Sequence, residues 1–142
     1  MPEYTANAIQ TVAVGGNVLF TDTAVPCRLG LVTHREGSGI ITLKKRGNCN
    51  ASNSVYKVSF GANIAVPTGG TVGAISIAIA VNGEPIPTSS AIVTPAAVEE
   101  YFNVYVSIFV DVSDGCCVQL AVENTSDQAI NVQNANLIVE RG

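Results

Sequence analysis

A chain of 142 residues is long enough for a single domain with its own core, so its four cysteines are not needed as staples. Hydrophobic residues make up 47% and charged ones 13%, roughly half the usual charged share, so the chain either buries much of its surface or lives in an assembly. A formal charge of −4 argues against a nucleic-acid groove, and no run of about 18 apolar residues is present to span a bilayer as a helix.

From the N-terminus, residues 1–8 are polar, with neither the basic start nor the apolar centre of an export signal. They are expected to be a flexible arm ahead of one domain over 9–142, in a protein made in the host cytoplasm. Predicted strands follow at 9–14, ended by Gly15-Gly16-Asn17, and at Val18-Leu19-Phe20 before a loop with Pro26 and Cys27. Strands at 29–34, 40–45 and 55–64 come next. The strand at 72–81 sets Ile75, Ile77, Ile79 and Val81 on one face and Ala74, Ser76, Ala78 and Ala80 on the other. A whole face of small side chains suggests close approach of a second layer or a neighbouring chain.

Asn82-Gly83 predicts a type I′ hairpin, which needs two positive φ angles. The prolines at 85 and 87 keep the next segment out of any central strand. A short strand at 89–93 precedes a possible single helical turn at 95–100. Further strands are predicted at 101–112, 116–122 and 130–140. In the last, Ile130 and Val132 differ in parity from Ala135, Leu137 and Val139, so one bulge near Gln133-Asn134 is expected to bring all five to one face. These nine or ten strands with turn chemistry between them are the pattern of an all-β sandwich or barrel, read here as a sandwich of two antiparallel sheets.

The stretch 101–112 is the most informative. Phe102, Val104, Val106, Ile108, Val110 and Val112 form one apolar face, while Tyr101, Tyr105 and Phe109 alternate with polar residues on the other. An ordinary half-buried strand turns a plain polar face to water. The ring face is therefore expected to lie under another layer of the same chain or, the reading favoured here, under another subunit.

The order of these segments resembles the jelly roll of the tumour-necrosis-factor and complement globular-head kind, as in small phage and prophage structural proteins of Firmicutes. The residues that carry the resemblance are Val18-Leu19-Phe20, 54–60 (SVYKVSF), 79–86 (IAVNGEPI), the aromatic strand and 134–141 (NANLIVER). It implies a homotrimer, with Tyr101, Tyr105 and Phe109 near the three-fold axis. The small residues Ala78 and Ala80 join them as the expected contact set. No collagen-like Gly-X-Y stalk is present.

Catalytic material is sparse. The single histidine, His34, is expected at a surface or interface, and no Gly-x-Ser-x-Gly elbow accompanies it. Glu99 and Glu100 are neighbours whose side chains diverge. Asp111 and Asp114 are read as turn caps, since calcium calls for several oxygens. The cysteines, Cys27, Cys49, Cys116 and Cys117, are expected as free thiols in the core, with a Cys27–Cys49 bond as the alternative. No cofactor, metal, nucleic acid or membrane is expected. The reading is a non-enzymatic trimeric structural protein of a bacteriophage particle, located in the virion, with the loops 47–54 and 85–90 facing outward. An adhesion module for a host glycan or protein is the alternative.

Overall fold

The computed structural model describes residues 2–27, 31–44, 54–112 and 117–141. Among them, six strands lie in the first half of the chain: β1 (Glu3–Ala6), β2 (Gln10–Val12), β3 (Asp22–Val25), β4 (Val32–His34), β5 (Ile41–Lys44) and β6 (Ser54–Ala65). Six more follow: β7 (Ile75–Val81), β8 (Glu84–Pro85), β9 (Ala91–Val93), β10 (Phe102–Val112), β11 (Cys117–Asn124) and β12 (Ile130–Arg141). One sheet has the order β10-β6-β12-β1-β3, with β2 also on β12; the other is β4-β5-β11-β7-β8, with β9 also on β7. Every pairing is antiparallel. The inward faces meet in one core that includes Phe20, Tyr56, Phe60, Ile77, Leu120 and Leu137. This is the two-layer jelly roll that the resemblance implied.

Two local expectations appear in full. Asn82 and Gly83 have φ of 52° and 85°, and they join β7 to β8 with Val81 opposite Glu84. Register slips between Gln133 and Asn136, Asn134 takes φ of 56°, and Ile130, Val132, Ala135, Leu137 and Val139 are all buried. One extra residue has restored a common face to both halves of β12.

Other expectations need correction. Residues 3–6 are no flexible arm: they form β1, held between β12 and β3, with Tyr4 and Ala6 buried. The loop expected around Pro26 contains β3. Val18-Leu19-Phe20 is no named strand; the Gln10 side chain takes the place of one, accepting from Leu19 N at 2.8 Å and donating to Leu19 O at 2.9 Å. Residues 95–100 make turns instead of a helix, and Glu99 takes φ of 58°. The described strands number twelve, because several edge pieces are too short to show a period.

One edge of β7 is closed by its own chain. β8 and β9 each pair with part of it, and the gap between them falls at Ile79. There the Ser89 hydroxyl accepts from Ile79 N at 2.8 Å and donates to Ile86 O at 2.7 Å, while Ile86 N donates to Ile79 O. Ser89 lies in the 3-10 turn Pro87–Ser89 and is 1% exposed. The segment 85–90 is thus a seal on the sheet and not a loop free to face outward; 47–53 lie outside the described residues. At the end of β11, buried Asn124 donates to the carbonyls of Val12, Ala13 and Gln128 and accepts from Ser126 N. Buried backbone groups far from any strand partner are satisfied in this way.

Candidate interaction surface

β10 lies at the edge of the first sheet, paired with β6 from Phe102↔Ile64 to Val112↔Ser54 without a slip. Its inward face holds Val104, Val110 and Val112 in the core, with Val106 and Ile108 half-buried against it. On its outward face Tyr105 is 63% and Phe109 68% exposed. Within the described protomer, then, no second layer covers these two rings.

The surroundings of Tyr105 hold it in place. It stands opposite Gly61, where an added Cβ would make ordinary van der Waals contact with the Tyr105 ring at 3.7 Å, so the ring lies beside the glycine. The Ser59 and Ser107 hydroxyls, 3.1 Å from each other, hold the phenol's pKa below the usual tyrosine value. Phe109 stands opposite Lys57, which in turn faces Glu140. Toward the other end of the same face four asparagine amides form a chain: Asn103 donates to Asn63 at 3.1 Å, Asn63 to Asn134 at 3.1 Å, and Asn134 to Asn7 at 2.5 Å. That chain pins the β12 bulge. No motif in the sequence pointed to it, since its members are 127 residues apart at the extremes.

The other residues of the expected contact set are placed differently. Tyr101 precedes β10, is half-buried, and its hydroxyl donates to Glu99 Oε2 at 3.3 Å; burial pushes its pKa up. Glu99 is a tie between loops, its Oε1 accepting from Thr68 N, Thr68 Oγ1 and Asn131 Nδ2. Ala78 and Ala80 are 1% and 2% exposed and lie on the second sheet, on the side of β7 opposite its core isoleucines. The structure does not bring them together with the rings, and they have almost no surface left to offer a partner.

Two hollows remain. A crevice of about 430 Å³ opens beside the β10 edge, lined by Val81, Ile86, Thr88, Ile108, Phe109 and residues 110–111. A second, of about 340 Å³, lies over Ala80 and Ala121 with Asn17, Asn82, Gln119 and Glu123 at its rim. Among the described residues no group of three or more His, Cys, Asp and Glu could hold a metal ion; Asp114 lies outside them.

His34, expected at a surface or interface, is half-buried. Its ring packs 4.6 Å from Tyr4 and 6.2 Å from Phe20 (centroid distances), Nε2 lies 2.7 Å from the Ser38 carbonyl, and Nδ1 is buried without a partner. Burial, and then the nearby Cys27, push the Tyr4 pKa up to about 12. Cys27 is half-buried against the core; Cys49, its partner in the alternative bond, lies outside the described residues. Cys117 is disulfide-bonded, which corrects the expectation of four free thiols.

No family model matches the chain, and no curated protein matches it in sequence. Its structure is similar to the globular domain of the zebrafish complement 1qA protein, with a TM-score of 0.55 at 13% identity over 96% of this chain and 94% of that one. This likeness shows the fold, a jelly roll of the complement globular-head kind. A lower similarity, TM-score 0.38 at 12% identity over 99% of this chain and 94% of the other, relates it to the CBM22-1 xylan-binding domain of Paenibacillus barcinonensis Xyn10C. That score carries no argument. No helix of the described residues is long and apolar enough to cross a membrane.

Proposed function

We propose that this chain is a non-enzymatic structural module whose copies associate through the outward face of β10, forming a homotrimer in a bacteriophage particle as a capsid-decoration or head-fibre protein. The observation that carries the reading is the pair of exposed rings, Tyr105 and Phe109, on a regular strand of a chain poor in charge. Covering both at a contact between copies contributes about 3–6 kcal/mol per protomer before association costs. The phage setting rests on the resemblance of segment order to small phage and prophage structural proteins. Light scattering tests the assembly: a mass near 44 kDa, about three times the 14.7 kDa chain, is expected, and a monomer at all concentrations refutes it. Purified virions probed for this chain test the location.

The hollow over Ala80 and Ala121 favours a second reading, an adhesion module. Its rim of carboxamides and one carboxylate suits a hydroxyl-rich ligand such as a glycan. A glycan array separates the readings: saturable binding lost in Glu123→Ala supports adhesion, and no binding at any sugar removes it.

A further inference from the structure

The exposed rings lie on the face of β10, but among the described residues its edge is unpaired as well. An open row of backbone N–H and C=O groups pairs with other strands unless shortness, lysine, proline or a bulge prevents it. The other edge strands follow that rule: β2, β4 and β9 have 3 residues each, β3 has 4, and β8 has 2 and ends in Pro85. β10 has 11 residues, no lysine or proline, a single charge at Asp111, and an unbroken register. Among the described residues, no strand pairs with it other than β6.

The order of its side chains indicates what fits there. Outward from Ser107 the strand repeats itself in both directions: Val106 and Ile108, Tyr105 and Phe109, Val104 and Val110, Asn103 and Asp111. Members of each pair match closely in shape. A parallel partner or an unrelated strand makes no use of such a palindrome. An antiparallel copy related by a two-fold axis through Ser107 does, because each residue from Asn103 to Asp111 then stands opposite its counterpart.

We propose that β10 pairs antiparallel with β10 of a second copy, centred on Ser107, joining two first sheets into one continuous sheet. Tyr105 of each copy then stands opposite Phe109 of the other on the outward face. The crevice lined by Ile86, Ile108 and Phe109 lies at the seam. The contact is isologous and closes on itself, so the edge is used without open-ended growth. This contact uses the edge and not the ring faces, and it does not rest on the three-fold reading.

The test is cross-linking by register in the full chain, with disulfide-linked peptides identified by mass spectrometry so that native thiols are not confused with new ones. Ser107→Cys is expected to link to itself, and Tyr105→Cys to link to Phe109→Cys when the two variants are mixed. Absence of the Ser107→Cys self-linkage, or of the Tyr105→Cys to Phe109→Cys linkage, overturns the proposal. A charge pair gives an independent readout. The double variant Tyr105→Lys with Phe109→Lys sets like charges opposite each other and is expected to weaken association on the order of 100-fold. Tyr105→Lys with Phe109→Glu sets opposite charges together and is expected to restore it. Equal loss in both double variants, with circular dichroism confirming folding, overturns the pairing.

Discussion

β7 and β10 border the same open side of the sandwich, one in each sheet, and they are finished in opposite ways. β7 is closed from within: β8, β9 and the Ser89 hydroxyl occupy its outer edge. β10 is left with its edge unpaired among the described residues and two rings in water. The molecule thus has the means to seal an edge with two short strands and a serine, and uses them on one side only. Groups around β7 hold the protomer together, whereas under the proposed assembly the groups on β10 serve contacts with another chain.

Substitutions can break this division. The largest effect on stability is expected from Asn124→Ala on the sealed side. It strands three carbonyls and the Ser126 N–H, costing at least about 3 kcal/mol and lowering Tm by about 10 °C, as calorimetry can measure. Association of the folded fraction should be unchanged.

Tyr4 tests the far end of the first sheet. In the folded chain its phenol stays neutral to about pH 12, against an ordinary value of 10.0. Its contribution is therefore complete below about pH 10 and is lost as pH rises to about 12, up to about 2–3 kcal/mol in all. Urea midpoints across that range should fall in the native chain and fall less in Tyr4→Phe. Ser89→Ala is expected to cost about 2 kcal/mol, because Ile79 N–H and Ile86 C=O lose their buried partner; a denaturant midpoint reads it. Phe109→Ser is expected to change protomer stability by no more than about 0.5 kcal/mol, since the ring is already wet. The same substitution should abolish assembly in light scattering. If it instead unfolds the protomer while Ser89→Ala leaves stability untouched, the division between the two edges is wrong.

Much of the fold could be read from short-range chemistry. The Asn82-Gly83 turn and the parity change in β12 each follow from a handful of neighbouring residues, and both stand in the structure as expected. The two faces of β10 were equally plain, because alternation over eleven residues leaves little ambiguity. The first strand was not: Tyr4 and Ala6 alternate with Glu3 and Thr5 over only four positions, too few to distinguish a strand from a polar tail. The surroundings of His34 were hidden for a related reason. Its neighbours in sequence are polar, and only the approach of Tyr4 and Phe20 gives it an aromatic pocket.

Composition and period two were enough to determine that this chain folds as a sandwich and which face of each long strand turns inward, since both depend on side chains a few residues apart. Tertiary structure alone decided that Tyr105 and Phe109 stand in water, that Ala78 and Ala80 lie covered on the other sheet, and that β10 is an edge while β7 is sealed. Those outcomes depend on which strands become neighbours. Neighbours such as β1 and β12, whose paired residues Glu3 and Ile138 come from opposite ends of the chain, are chosen by the packing of the whole core and leave no local mark.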